Sequence, residues 1–226
     1  MPVAVVLAPY VHNGLISSTN YAYDGLGRLT AVTDALGNAT AYSYDEVGNK
    51  LTQADAEGRT TSWTYDALGR VGTRTLPLGQ VENSTYDANG NRISHTDFNG
   101  DTHNFMYDNN DRMTEANYAD GSVTTYSYDA VGNRTQSTIT DSEGTRTWTY
   151  SYDSRNRLSQ ETKPDGSTIG YVYDEAGNKV QLTYTLSYGD TAVISYTYDE
   201  LNRLKTVTND SGTSSYGYDA VGNRPA

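Results

Sequence analysis

Short stretches of the chain alternate aromatic and small polar residues with a period of two. In Thr40-Ala41-Tyr42-Ser43-Tyr44 the two rings stand two residues apart and fall on one face of an extended strand. Each stretch ends in Tyr-Asp, followed by Asp-x-x-Gly as in Asp24-Gly25-Leu26-Gly27. Asp suits the first place of a type I turn because its carboxylate accepts nearby backbone N–H groups, and Gly suits the fourth because it takes positive φ. In seven units the fourth residue is Gly, and in the others it is Asp111, Asn156 and Asn202. Asn and Asp are the non-Gly residues that enter the left-handed region most readily, so the set selects a turn and not a helix or a catalytic loop. A basic and then usually an aliphatic residue follow the turn, and a second turn closes most units, as in Asp55-Ala56-Glu57-Gly58 or Pro164-Asp165-Gly166. The pattern predicts an all-β chain of antiparallel hairpins, one per unit of about 21 residues, in a single long twisted or spiralling sheet.

Ten units are present, with Tyr-to-Tyr spacings of 21, 21, 21, 21, 21, 24, 21, 25 and 20 residues. They alternate between two types. In five, Arg follows the turn: Tyr23-Asp24 with Gly27-Arg28, Tyr65-Asp66 with Gly69-Arg70, Tyr107-Asp108 with Asp111-Arg112, Tyr152-Asp153 with Asn156-Arg157, and Tyr198-Asp199 with Asn202-Arg203. In the other five, Asn precedes the basic residue: Tyr44-Asp45 with Gly48-Asn49, Tyr86-Asp87 with Gly90-Asn91, Tyr128-Asp129 with Gly132-Asn133, Tyr173-Asp174 with Gly177-Asn178, and Tyr218-Asp219 with Gly222-Asn223. The step from Tyr to the aliphatic residue is six in the first type (Tyr23 to Leu29) and seven in the second (Tyr44 to Leu51). One extra residue would turn the following side chains to the wrong face unless the loop absorbs it, which predicts two loop geometries in alternation. Residues 15–226 then form five pairs of about 42 residues, preceded by an apolar segment, residues 1–14, that is a candidate extra strand.

Composition narrows the function. Only 35% of the 226 residues are hydrophobic, and Tyr supplies 21 of them, with 2 Phe and 3 Met, so a closed aliphatic core is not expected. A net charge of −12 argues against nucleic acid as a partner. There is no Cys and hence no disulfide or thiol chemistry. Val3-Ala4-Val5-Val6-Leu7-Ala8 is short and has no Lys or Arg before it, so it does not read as a signal peptide, and no segment is long enough for a membrane span.

Candidate chemistry is sparse. Repeated Tyr faces could stack on the rings of a glycan, but 19 of the 25 aromatics share one register, which points to a cross-strand aromatic ladder instead. Nine units carry an aromatic two places before the Tyr of Tyr-Asp, and Ser84 is the exception. Ten of the sixteen basic residues follow the turns, where pairing with the turn Asp of the same or a neighbouring unit is expected. Asp97-Phe98-Asn99-Gly100-Asp101 has the oxygen spacing of a calcium loop, with Asp108 in the twelfth place. Thr102, however, stands where such a loop needs Gly, so a turn is expected. His12, His95 and His103 show no ligand spacing, the last two lying eight apart. No catalytic residue, metal site or cofactor is nominated, and an enzyme is not expected.

The motif Tyr-x-Tyr-Asp-x-x-Gly-Arg-Leu, in ten copies across roughly residues 15–224, resembles the Rhs/YD-repeat family. That family includes bacterial Rhs and polymorphic-toxin proteins, the C component of insecticidal toxin complexes, wall-associated proteins and teneurins. The resemblance implies successive strands of one sheet that spirals into a shell, a secreted or cell-surface location, and a structural role in encapsulating a C-terminal toxin. Bacterial shells usually end in a self-cleaving Asp-Pro-x-Gly segment, whereas here no Asp is followed by Pro and the tenth turn is followed by Arg224-Pro225-Ala226. About twenty strands at roughly 4.8 Å would give a strip on the order of 95 Å long, a partial shell. As partners, the rest of a larger shell or a second copy joined through open sheet edges is expected, with the Val3–Leu7 segment as one such edge. A glycan-binding adhesin is the alternative.

Overall fold

The computed structural model describes residues 3–6, 10–12 and 15–224, and among these residues there is no helix. The chain divides into two units, residues 1–106 and 107–226. In the first, strands run Asn20–Tyr23, Leu29–Thr33, Ala39–Tyr44, Lys50–Ala54, Thr60–Tyr65, Val71–Thr75, Val81–Tyr86, Arg92–Thr96 and Thr102–Tyr107, the last residue of which is the first of the second unit. In the second they run Met113–Asn117, Val123–Tyr128, Arg134–Asp141, Gly144–Tyr152, Leu158–Thr162, Thr168–Tyr173, Lys179–Thr185, Thr191–Tyr198, Leu204–Asn209 and Gly212–Ser215. Within each unit, strands adjacent in sequence pair antiparallel, as Asn20–Tyr23 does with Leu29–Thr33 and Lys179–Thr185 with Thr191–Tyr198.

The N-terminal segment supplies the strand Val3–Val6, which pairs with Asn20–Tyr23 through Val3↔Tyr23 and Val6↔Asn20, so one of its edges is taken by the first repeat of its own chain. Leu7 lies outside the described residues, as do Pro225 and Ala226. Tyr10–His12 and Leu15–Ser17 form a separate two-stranded ladder.

Every Tyr-Asp turn has the same number of residues. Tyr23 pairs with Leu29 and Tyr44 pairs with Lys50, each six positions on, after a bulge at the last step. The extra loop residue expected in the Asn type is therefore not there. Its basic residue takes the place opposite Tyr that an aliphatic residue takes in the Arg type. The two insertions lengthen the far ends of hairpins: Gln136–Asp141 pairs with Gly144–Thr149 across a two-residue turn, and Gln181–Thr185 pairs with Thr191–Ser195.

The two edges of the sheet are not equally paired. A return strand meets the next outgoing strand over only three residues in several places, as Ala31–Thr33 does with Ala39–Ala41, Thr52–Ala54 with Thr60–Ser62, and Thr73–Thr75 with Val81–Asn83. Near the Tyr-Asp turns the ladder between hairpins is consequently open, and residues such as Leu29 and Lys50 lack a strand partner on that side.

Burial is shallow. Among the described residues Ala116 is the one buried hydrophobic residue, and Thr124, Ser137 and Ser167 are the buried polar ones. Tyr42 and Tyr44 are half-buried on one face, while Ala41 and Ser43, which alternate with them, are exposed on the other. The exposed face carries hydroxyl pairs across strands, including Ser43–Thr52 at 2.5 Å, Thr64–Thr73 at 2.6 Å and Thr197–Thr206 at 2.7 Å.

Candidate functional site

The chemically distinctive residues gather at the Tyr-Asp turns. In the first, the Gly27 N–H donates to the Asp24 carbonyl at 3.0 Å and the Asp24 N–H donates to the Arg28 carbonyl at 2.9 Å. Asp24 Oδ1 accepts the N–H groups of Leu26 and Arg28, each at 2.9 Å, and Oδ2 accepts Arg28 Nε at 2.7 Å. The Asn type reproduces this with a different donor: Asp45 Oδ1 accepts Val47 and Asn49 N–H at 3.1 and 2.8 Å, and Oδ2 accepts Asn49 Nδ2 at 2.8 Å. Arg Nε–H and the Asn amide are interchangeable here because both present an N–H to the outer carboxylate oxygen. The far turns use the same device, with Asn38 on Asp34 at 2.8 Å and Arg59 on Asp55 at 2.6 Å. Asp97, the candidate calcium residue, is one of them: its Oδ1 accepts the Asn99 and Asp101 N–H groups at 2.8 and 3.0 Å.

These donors bear on the carboxyl groups. The Arg28 backbone N–H and guanidinium hold Asp24 below the usual carboxylate range, and Asp66, Asp153 and Asp199 are lowered in the same way by Arg70, Arg157 and Arg203. Asp87 and Asp174 are lowered first by the side chains of Asn91 and Asn178.

The fourth turn residue separates the two types by dihedral angle. In the Arg type φ is +78° at Gly27, +76° at Gly69, +59° at Asp111, +59° at Asn156 and +58° at Asn202. In the Asn type it is +98° at Gly48, +99° at Gly90, +103° at Gly132, +96° at Gly177 and +91° at Gly222. The three non-Gly residues thus occupy the turns that lie near the left-handed minimum around +57°, and Gly alone occupies the wider ones. The alternation is real in backbone angle although not in loop length.

The Arg-type turns also reach the next turn. Arg28 Nη1 donates to the Asp45 carbonyl at 2.7 Å and the guanidinium lies 5.1 Å from the Tyr44 ring centroid. Arg70 repeats this with the Asp87 carbonyl at 3.0 Å and Tyr86 at 4.6 Å, as does Arg157 with Asp174 at 3.0 Å and Tyr173 at 4.5 Å. Arg112 joins the Asp129 carbonyl at 3.3 Å and Tyr128 at 4.6 Å, and Arg203 lies 4.5 Å from the Tyr218 ring. Asn residues bridge onward where the next turn offers an acceptor: Asn133 Nδ2 donates to Asn156 Oδ1 at 3.1 Å and Asn178 Nδ2 to Asn202 Oδ1 at 2.8 Å.

The Tyr hydroxyls close the opening between hairpins. Tyr44 donates to the Leu29 carbonyl at 2.8 Å, Tyr65 to Lys50 at 2.8 Å and Tyr86 to Val71 at 3.0 Å. Tyr128, Tyr152, Tyr173, Tyr198 and Tyr218 do the same to Met113, Arg134, Leu158, Lys179 and Leu204. Each acceptor is the residue paired with the preceding Tyr of Tyr-Asp, and it keeps that role where an insertion changes the sequence distance. Tyr107 and Asp108 extend the motif, Asp108 binding Arg112 Nε at 2.8 Å and Asp129 binding Asn133 Nδ2 at 2.9 Å. Asp219 binds Asn223 Nδ2 at 3.2 Å.

Two expectations change. Turn Asp residues pair with the Arg of the Arg type, at 2.6–2.7 Å for Asp24, Asp66, Asp108, Asp153 and Asp199. The basic residues of the Asn type lie over inner aromatic rings: Lys50 over Trp63 at 4.0 Å, Arg92 over Phe105 at 5.5 Å, Arg134 over Tyr150 at 5.0 Å, Lys179 over Tyr171 at 4.6 Å and Arg224 over Tyr216 at 4.6 Å. That explains a sequence detail. The Arg type admits only Arg, whose guanidinium forks to two acceptors, whereas the Asn type admits Lys or Arg because a ring needs only a cation. The aromatic ladder is also indirect, since residues opposite the inner rings are non-aromatic, as in Tyr42↔Gln53, Trp63↔Arg74, Tyr150↔Glu161 and Tyr196↔Val207.

One place breaks the pattern. Ser84 stands where nine units have an aromatic, opposite His95, which in turn stands opposite His103. The eight-residue spacing that hid the histidines in the sequence becomes direct opposition once Thr96 pairs with Thr102.

The chain matches the RHS Repeat family model over residues 23–54, 48–81, 107–146, 136–168, 152–191 and 198–226. No curated protein matches it. Among solved structures it is similar to TcdB2-TccC3 lacking its hypervariable C-terminal region, with a TM-score of 0.63 and 16% identity over 93% of this chain and 14% of that one. It is likewise similar to TcdB2-TccC3-Cdc42, with a TM-score of 0.51 and 14% identity over 93% of this chain and 15% of that one. The chain therefore spans about a seventh of those chains, and the likeness is one of fold. With the family model matching well over half of its length, the protein belongs to the RHS repeat family.

Proposed function

We propose that the chain is a non-enzymatic structural β-scaffold, a stretch of wall from an Rhs-type shell. The observation that carries this reading is the stitching of one turn to the next. Tyr44 and Arg28 join two hairpins by donating to backbone carbonyls of the neighbouring unit, and the same pair of bonds recurs along the array. A unit so built completes its hydrogen bonds only beside another unit, which is the logic of a wall and not of a single binding pocket. The recurrent motif residues, from Tyr23 and Asp24 to Gly222 and Asn223, serve in this reading as structural fasteners. The side chains with most chemical potential, the turn carboxylates, are spent on turn N–H groups and on Arg or Asn.

The family resemblance supports a secreted or cell-surface location and a cargo enclosed by the complete shell. Carbohydrate binding through the Tyr rings is less well supported, because cations already lie over many of those rings. The shell reading is tested by protease protection in the native reading frame. With the array intact, polypeptide encoded beyond residue 226 should resist added protease, and deletion of residues 23–191 should expose it. Equal digestion of both proteins would remove the shell reading. Light scattering and electron microscopy of the isolated chain then test a self-associating scaffold, which requires concentration-dependent oligomers or fibres.

A further inference from the structure

The Ser84–His95–His103 row is where the one unit that has a hydroxyl in place of its inner aromatic meets imidazoles on the next two strands. Ser84 pairs with His95 and His95 with His103, so the three side chains stand side by side on one face. Ser84 Oγ lies 3.1 Å from His95 Nδ1, and the two rings are stacked, with centroids 6.5 Å apart and planes inclined by 18°. All three residues are half-buried and so remain within reach of solvent.

We propose that His95 and His103 form a two-imidazole site for a late first-row divalent cation, Cu2+ before Ni2+ and Zn2+. Neutral imidazole is the commonest protein ligand for these ions, and affinity rises along the series to Cu2+. In the tautomer that donates Nδ1–H to the Ser84 hydroxyl, His95 keeps its Nε2 lone pair for a metal. A hydrogen bond on the far nitrogen is the usual way a protein orients a histidine ligand. Two imidazoles bound side by side at about 2.0–2.1 Å to one ion, with a ligand angle of about 90–110°, have centroids about 4.5–5.3 Å apart. From the 6.5 Å seen here, binding of one ion by both rings requires them to draw together by roughly 1–2 Å with both Nε2 atoms turned to the same side. Water would complete the coordination. The nearby cation, Arg74, is directed toward Glu82 at 3.7 Å and the Phe98 ring at 5.3 Å. A bound ion would tie Arg92–Thr96 to Thr102–Tyr107, with Ser84 on Val81–Tyr86 serving as a positioning residue.

The test is titration of the full chain with Cu2+, Ni2+ and Zn2+ by calorimetry, with electron paramagnetic resonance of the Cu2+ form. One saturable site is expected, with Cu2+ tightest and two nitrogen donors in the spectrum. His95→Asn and His103→Gln should each weaken binding at least tenfold, while Ser84→Ala should weaken it several-fold and alter the copper spectrum. His12→Asn should leave the affinity unchanged. Circular dichroism identifies any variant that fails to fold, and the two-nitrogen signature of the unmutated chain tests the site without any variant. The proposal is overturned if the spectrum shows only oxygen donors, or if Ca2+ and Mg2+ compete as well as Ni2+. It is equally overturned if folded His95→Asn and His103→Gln proteins bind Cu2+ as tightly as the original.

Discussion

The two classes of turn angle make a sharp demand on substitution, and Gly→Asn exchanges at Gly69 and Gly90 measure it. Gly69 has φ +76° and Gly90 has φ +99°. Neither site is sterically closed: an added Cβ would lie 3.5 Å from Asn49 Oδ1 at Gly69 and 3.7 Å from Arg70 Nη1 at Gly90. The difference is therefore one of backbone angle and available partner. At Gly90 the backbone sits roughly 40° beyond the left-handed minimum, a strain of about 1–3 kcal/mol for a non-Gly residue. The entropy removed from the unfolded chain offsets about 0.4–1 kcal/mol of it, leaving a net loss of about 1–2 kcal/mol. At Gly69 a shift of less than 20° reaches the +59° already adopted by Asn156. The Asn49 amide, which uses one N–H on Asp45 at 2.8 Å, has a second to give, as Asn133 gives one to Asp129 at 2.9 Å and another to Asn156 at 3.1 Å. An exposed bond of that kind contributes about 0.5 kcal/mol, so Gly69→Asn should fall within about 0.5 kcal/mol of the original protein. Urea midpoints followed by tryptophan fluorescence give the ranking directly. Gly69→Ala, which lacks the amide, should be less stable than Gly69→Asn. Equal losses at Gly69 and Gly90, or a larger loss at Gly69, would refute the assignment of two turn geometries.

Three further outcomes follow from the same bonds. Asp24, Asp66, Asp153 and Asp199 are held below their ordinary range by backbone N–H groups and Arg, so their folded-state pKa values are lower than the unfolded ones. That stability is fully present above about pH 5 and is lost as pH falls through the folded values, so thermal midpoints should be flat from about pH 5 to 7 and drop below about pH 4; a decline that begins near pH 6 would contradict it. Tyr65→Phe keeps the ring and removes the donor to the Lys50 carbonyl, and should lower stability by about 0.5–1.5 kcal/mol in urea, whereas no change would mean that water replaces the hydroxyl freely. Arg70→Lys should cost about 1 kcal/mol because the bonds to Asp66 and to the Asp87 carbonyl cannot both be kept, while Lys50→Arg, over the Trp63 ring, should be near neutral; equal effects would undo the distinction between the two unit types.

Much of this architecture is legible in the chain because the turn chemistry is local. Asp accepting its own turn N–H groups, and Gly, Asn or Asp at the left-handed place, follow from residue types alone, and Asp111, Asn156 and Asn202 take the expected positive φ. The loop count is not legible, for a related reason. Leu51 looks like the counterpart of Leu29, but pairing is decided by distance from Tyr, which puts Lys50 opposite Tyr44. The sequence did hold a clue to the true difference, since every non-Gly turn residue falls in an Arg-type unit. The acceptors of the Tyr hydroxyls are not legible, because they lie just beyond the point where pairing between hairpins stops, which the spacing does not reveal. The His95–His103 juxtaposition was hidden likewise, since it depends on the register Thr96↔Thr102. In each case the missing information is tertiary pairing, which residue spacing alone does not carry.

A repeat array fastened at its turns can tolerate a defect that a packed core cannot. Replacing a buried aromatic by a small residue typically costs about 3–5 kcal/mol through lost burial and the cavity left behind. Ser84 stands in an aromatic place, yet its unit keeps the fasteners of its neighbours: Tyr86 donates to the Val71 carbonyl at 3.0 Å, Asp87 accepts the Asn91 amide at 3.0 Å, and Arg70 reaches the Asp87 carbonyl at 3.0 Å. The inner rings are half-buried beside non-aromatic partners, so each contributes on the scale of a cross-strand pair, about 0.2–1 kcal/mol, and its loss is affordable. Ser84→Tyr should accordingly raise the urea midpoint of the metal-free protein by that modest amount, while removing the hydroxyl that orients His95 and filling the space beside it. The same protein should bind Cu2+ less tightly than the unmodified chain. Greater stability with weaker metal binding would mark the row as a place where the array gives up a fastener for a function. If Ser84→Tyr instead lowers the midpoint in metal-free buffer, then the Ser84–His95 bond is itself structural, and the defect was never a tolerated one.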